Sequence, residues 1–210
     1  MARKKIKLTK GEIKRQRDSL AQYERYLPTL QLKQKLLQIE LRRVEARLAS
    51  RRRELDENLD RARGWVAVLA QPGVDLSRWT EVKEVRTSTE NVAGVDIPVF
   101  VGVDFAPADY DLFLTPLWTE KALESIRELI RRRVEISTLE RRRRLLYREL
   151  RITLQRVNLF EKVMIPECRE KIRVIRIYLG DQDAAAVGRS KIAKKKIEHL
   201  THAGAARNGR

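Results

Sequence analysis

One stretch limits the fold more than any other. Leu20, Tyr23, Leu27, Leu30, Gln34, Leu37, Leu41, Val44, Leu48, Arg51 and Leu55 follow alternating steps of three and four, and nine of these eleven are apolar. Such steps wind a narrow apolar stripe along one side of a helix, and the stripe requires a partner helix of the same kind. Residues 12–63 contain no glycine and one proline, Pro28. Thr9 and Glu12 stand at capping-box spacing, which places the helix start near Lys10. Gly11 works against that start, at about 1 kcal/mol for a glycine inside a helix. At about 1.5 Å per residue the helix spans on the order of 80 Å, wider than any compact domain of this mass. A second apolar set, Leu32, Leu36 and Ile39, widens the apolar face in the first half and suits more than one neighbour.

A matching stripe lies near the other end. Leu129, Ile136, Leu139, Leu146, Leu150, Val157, Phe160 and Met164 sit on a heptad grid, with Arg132, Arg143 and Thr153 at its weak positions. At Pro166 the grid shifts by one step of four and continues as Cys168, Ile172, Ile175 and Leu179. Pro28 and Pro166 each remove a backbone donor, so both are expected helix breaks that bend or loosen their helices. Gly180 is expected to end or loosen the second helix.

Between the helices the composition changes. Residues 71–120 hold four of the six prolines and three of the nine glycines, with nine acidic residues against three basic ones. Residues 80–87 alternate weakly and residues 95–105 more clearly, with turn residues at Asn91 to Gly94. This predicts a hairpin or two short strands, with Pro98 on an edge. Thr115 and Pro116 suit the N-cap and first position of the second helix. The predicted fold is therefore mainly α: a long antiparallel two-helix coiled coil with a small hairpin-containing insert at the turn end. The expected segments are a first helix over 1–70, an acidic insert over 71–117, a second helix over 118–200 and a disordered tail over 201–210.

Composition agrees with a rod. Charged residues make up 36% and aromatics 6%, a balance that a single stripe per helix tolerates and a thick globular core does not. The formal charge of +17 favours a partner with a negative surface: nucleic acid, anionic lipid or an acidic protein. The charge is polarised. Residues 1–17 carry eight Lys or Arg against one Glu, and residues 189–210 carry seven against one. One cysteine excludes an intrachain disulfide and fits a reducing compartment. The basic N-terminus has no apolar core of a signal peptide, and no run approaches a membrane span. A cytoplasmic location, at most peripheral to a membrane, is expected.

Few residues suggest chemistry. Glycines never cluster in a phosphate-binding pattern, so no nucleotide or other cofactor is expected on this chain. His199 and His202 share helical spacing, but with only Glu198 nearby they are too few for a metal. Cys168 reads as a packed residue beside Met164 and Ile172, with a reactive thiol as the alternative. Around it Glu161, Glu167 and Glu170 alternate with basic residues as on a solvated face, and Asp181 and Asp183 do not suffice for a metal. The runs at 51–63 and 139–151 read as coiled-coil flanks, with acidic proteins or nucleic acid as alternative partners. Arg141 to Arg144 point around the helix, so part of that run faces the partner helix. Trp65, Trp79 and Trp118 flank the insert, either packed there or as a partner surface.

Residues 17–41, RDSLAQYERYLPTLQLKQKLLQIEL, resemble the N-terminal helix of the D subunit of V-type (archaeal/vacuolar-type) rotary ATPases. Residues 157–196 resemble its C-terminal helix through NLFEKVMIP, IRVIRIYLGDQ and RSKIAKKK. Without the PTR start of the commoner branch, the chain looks closer to the shorter bacterial one. The resemblance implies a non-catalytic central rotor shaft. One end would enter the ring of A and B subunits. The other would meet the F subunit and the central-stalk subunit that links to the membrane rotor ring. The shaft would couple ATP hydrolysis or synthesis to proton or sodium transport. It further implies that residues 10–30 and 165–198 lie inside the ring, with Arg15, Arg17, Arg176, Arg189, Lys191, Lys194, Lys195 and Lys196 facing the stator, and that the acidic insert lies toward the membrane. The bottom-up alternative is a basic coiled-coil scaffold or a nucleic-acid-binding protein.

Overall fold

The computed structural model describes residues 7–65, 76–109 and 115–207, with side chains to Glu198. Helix α1 runs Lys10–Arg63, a short helix α2 spans Ser77–Thr80, and strands β1 (Val82–Val92) and β2 (Val95–Phe105) follow. Helix α3 covers Trp118–Leu159. A five-residue π-helical turn, Phe160–Met164, leads into helix α4, Ile165–Arg207. Two compact units divide this chain within the long helices: residues 31–155 form one, and residues 1–30 with 156–210 form the other. This division cuts across the segments expected from composition, because it follows packing.

In the central unit α1 and α3 run antiparallel. Their cross-helix ion pairs ascend one helix as they descend the other: Lys33 with Glu149, Glu40 with Arg142, Arg51 with Glu135, and Glu54 with Arg132. Between them lie Leu37, Val44, Leu48, Ile136, Leu139, Leu146 and Leu150, all buried. Leu37 and Leu146 are fully enclosed. Burying one such side chain contributes about 1.5–3 kcal/mol.

The insert folds back onto this pair. Its β1 and β2 form an antiparallel hairpin that closes at Val92 and Val95. Ala93 and Gly94 both have positive φ, 52° and 76°, the geometry of the tight turn whose twist matches the strands. Gly94 meets this need without strain, and its N–H donates to Asn91 Oδ1 at 3.0 Å. β1 continues to Val92, beyond the expected 87. The polar residues Thr87 to Asn91 carry no apolar alternation, and their pairing with β2 decides the strand. Pro98 sits opposite Thr89 in a sheet that has only edge strands.

Ile97, fully buried, belongs to the same core as Leu37 and Leu146. The hairpin tip therefore lies against the middle of the helix pair. At its base Arg127 donates to the carbonyls of Trp79, at 3.0 and 2.8 Å, and Ala106, at 2.6 Å. Its guanidinium also stacks over Phe105 at 5.3 Å. The sequence predicts a hairpin between the helices; tertiary packing lays it along them.

In the terminal unit Tyr23 packs on Phe160 with ring centroids 5.1 Å apart. Glu24 accepts from Arg169 at 2.8 Å. Val157, Ile165, Cys168, Ile172 and Ile175 are buried, and Leu20, Tyr23, Leu27 and Leu30 of α1 are half-buried. The π-helical turn accounts for the phase shift at Pro166. Ile165 N–H donates to Phe160 O, five residues back. The extra residue in that turn rotates everything after it, so Ile165, rather than Met164, takes the buried place. A π-helical bulge is a known cause of such local irregularity.

At the expected breaks the helices continue. α1 passes through Pro28 without a change of helical type. α4 passes through Gly180, where no neighbouring atom crowds the backbone. Helical backbone also extends to Arg207, where a tail is expected after 200. The second long helix begins at Trp118, and a turn in which Thr119 N–H donates to Pro116 O at 3.0 Å leaves Thr115 and Pro116 ahead of the helix rather than at its N-cap and first position. At the N-terminus Thr9 caps α1 through a hydrogen bond from Glu12 N–H to its Oγ1 at 3.3 Å. Glu12 turns its carboxylate to Gln16 instead of back to Thr9.

Candidate functional site

The expected seam residues lie in two classes. Leu37, Val44, Leu48, Leu146, Leu150, Val157, Cys168, Ile172 and Ile175 are buried. Leu20, Tyr23, Leu27, Leu30, Leu41, Leu55, Phe160, Met164 and Leu179 are half-buried. Leu32, Leu36 and Ile39 are exposed at 57%, 46% and 49%, so this second stripe stays uncovered by the described residues.

The basic residues assigned to stator contacts are all exposed. Arg17 and Arg176 come together across one shallow cleft with Leu20, Arg169, Ile172, Arg173 and Ile177. Arg189, Lys191, Lys194, Lys195 and Lys196 lie farther along α4, where every residue from Gly180 to Glu198 is exposed. Local pairing there is loose: Arg15 approaches Glu12 at 3.7 Å and Lys194 approaches Glu198 at 3.9 Å. Such solvated pairs contribute little stability and leave the cations open to a partner.

The thiol of Cys168 is buried. Burial pushes it up from its ordinary value, Lys171 opposes the shift, and Glu167 adds to it. A thiol held protonated is a poor nucleophile. Among the described residues no group of three His, Cys, Asp or Glu side chains could hold a metal ion. The side chains of His199 and His202 lie outside the described residues. Trp65 and Trp118 line a cleft of about 270 Å³ with Lys121, Ala122 and Ser125.

One residue that sequence reasoning undervalued is Arg142. Only 8% of its side chain is exposed, and it binds Glu40 of α1 and Glu90 of β1, the latter at 3.1 Å. It joins both helices to the hairpin. The run Arg141 to Arg144 signalled that an arginine would face inward, but the identity of its carboxylates depends on where the hairpin lies. Ile97 and Ile165 are other buried residues outside the expected seam, and Thr153, a weak position on the expected grid, is buried as well.

Long antiparallel helices and a docked hairpin define a coiled-coil protein with open basic and apolar surfaces. The family model for the D subunit of ATP synthase matches residues 12–195. The V-type ATP synthase D subunit of Borreliella burgdorferi is 42% identical over 193 residues, covering 92% of this chain and 95% of the relative. The V-type ATP synthase D subunit of Chlamydia pneumoniae is 34% identical over 195 residues, covering 92% and 93%. The chain belongs to the family of ATP synthase D subunits. It is a central-stalk component of a V/A-type rotary ATPase and has no catalytic part in it.

Proposed function

We propose that this chain transmits torque between the ring of A and B subunits and the membrane rotor ring, coupling ATP turnover to ion transport. The observation that carries this reading is the family match over residues 12–195, which spans both long helices. Two helices held side by side resist bending and twisting better than one, as torque transmission requires. The terminal unit is the part inside the ring, over residues 10–30 and 165–198. Its exposed cations Arg15, Arg17, Arg176, Arg189, Lys191, Lys194, Lys195 and Lys196 face acidic stator loops. The central unit meets the F subunit and the linking subunit outside the ring. Exposed Leu32, Leu36 and Ile39, and the Trp65–Trp118 cleft, support partner contacts there. No described helix is long and apolar enough to cross a membrane, so the chain reaches the membrane ring through other subunits.

Two measurements test this. The native complex, purified through this chain, should contain the A, B and F subunits. A complex whose shaft lacks both terminal segments should lose ATP-driven ion pumping. Normal pumping by that truncated complex overturns the assignment of torque transmission to those segments.

A further inference from the structure

The hairpin covers one flank of the central helix pair and leaves the other bare. Lys33 and Glu40, seven residues apart on α1, and Arg142 and Glu149, seven apart on α3, mark the covered flank through their pairs. Glu90 joins Arg142 there. The opposite flank is marked by the pair Arg52–Glu140. One heptad along from those two residues stand Glu45 and Tyr147, and around them opens a cleft of about 450 Å³ lined also by Arg143, Arg144, Arg148 and Arg151.

These four arginines are exposed, and none takes part in an ion pair among the described residues, although neighbouring cations do. Arg51, Arg52, Arg132 and Arg142 are all bound to carboxylates. Tyr147, in their midst, is 62% exposed. Tyrosine and arginine are enriched in interfaces and their hot spots, and the guanidinium fork matches a carboxylate with two parallel hydrogen bonds.

We propose that this cleft is a docking site for an acidic protein segment, whose carboxylates pair with Arg143, Arg144, Arg148 and Arg151 while an apolar side chain rests on Tyr147. The extent of the patch favours a short peptide over nucleic acid. The cleft's four arginines, with the exposed Arg141 just before them, span under three turns of α3, on the order of 15 Å, and the flanking Arg132 and Arg142 are paired. A duplex offers a charge about every 1.7 Å and rewards a long row of free cations. Glu45 on the cleft wall repels a continuous polyanion, whereas discrete carboxylates can avoid it. This inference goes beyond the shaft assignment and stands apart from it.

The full-length chain can be titrated at physiological salt with fluorescein-labelled deca-glutamate carrying a central leucine, and separately with labelled duplex DNA. Arg144→Gln/Arg148→Gln should weaken peptide binding about tenfold or more, as expected for losing two charge-assisted pairs. Tyr147→Ala, which leaves the charge unchanged, should weaken it at least about fivefold. A charge-matched control, Arg53→Gln/Lys83→Gln, should change it less than about twofold. All these residues are exposed, and circular dichroism verifies that each variant folds. Equal losses in the two charge-matched variants would reduce the attraction to net charge and overturn the proposal. So would tighter binding of DNA with the same dependence on Arg144 and Arg148.

Discussion

Replacing Arg142 by methionine is the sharpest test of how the hairpin is held. Methionine keeps the length and apolar stem of the side chain and removes the guanidinium. Glu40, only 14% exposed, then loses its main partner. Arg43, at 3.6 Å and largely in solvent, compensates only in part. Removing one member of a buried pair costs about 3–5 kcal/mol. Two features place this case at the low end. Glu90 is half exposed and regains water, and Arg142 Nε is already buried without an acceptor, so its desolvation cost disappears with it. A loss of about 3 kcal/mol is expected, read as a lower urea midpoint at unchanged slope. Hydrogen exchange should locate the loss, with Val92, Val95 and Ile97 amides losing protection together with the facing turns of α1 and α3. Glu40→Leu combined with Arg142→Met removes both charges and should recover most of the stability, because an apolar pair of similar volume matches a buried ion pair. Glu90→Gln alone should cost less than about 1 kcal/mol. If Arg142→Met shifts stability by under about 0.5 kcal/mol, or if the double variant is as unstable as the single one, Arg142 does not hold the hairpin to the helices.

Ile97→Ala and Ile175→Ala should each cost about 2–5 kcal/mol, with the first loosening the hairpin amides and the second the terminal unit; hydrogen exchange distinguishes them. Cys168 should react with iodoacetamide in the folded chain on the order of a hundredfold more slowly than in urea, because a buried thiol reacts only through opening; comparable rates would contradict its burial. The hydrogen bond from Arg51, aided by one from Arg132, holds the Glu54 carboxyl below its usual range against the opposing effect of burial. A depressed folded value contributes stability above the ordinary carboxylate range and loses it as pH falls through the folded value. Glu54→Gln should therefore be less stable than the parent at neutral pH and converge with it in acid, as thermal melts from neutral pH down into strong acid would show.

The architecture was legible because it rests on local periodicity. Steps of three and four select residues on one helix side whatever surrounds them, which is why Leu37, Val44, Leu146 and Ile175 could be named as seam residues from spacing alone. The turn at Asn91 to Gly94 was legible for the same reason, since backbone sterics restrict which residues close a tight hairpin. Even the π-helical turn left a trace, as a stripe that changes step at Pro166. At Pro28 the helical backbone simply runs on. A proline removes one donor and disfavours a helix, but the packing of the flanking turns decides whether the helix continues, and here α1 does.

Long-range pairing left no such trace. Nothing in the order of residues says that Glu90, in a polar strand, meets Arg142, or that Ile97 fills the space beside Leu37 and Leu146. Those contacts join residues far apart in the chain and depend on the direction in which the insert folds. By itself the sequence determined two long helices with matched apolar sides, a hairpin between them and family membership through both helices. Tertiary structure alone decided that the hairpin lies along the central helices, which arginine is buried, and that Arg143, Arg144, Arg148 and Arg151 line one open cleft. The physical reason is range: helix and turn formation depend on neighbours within a few residues, whereas the partner of a charge or a core side chain is set by the path of the whole chain.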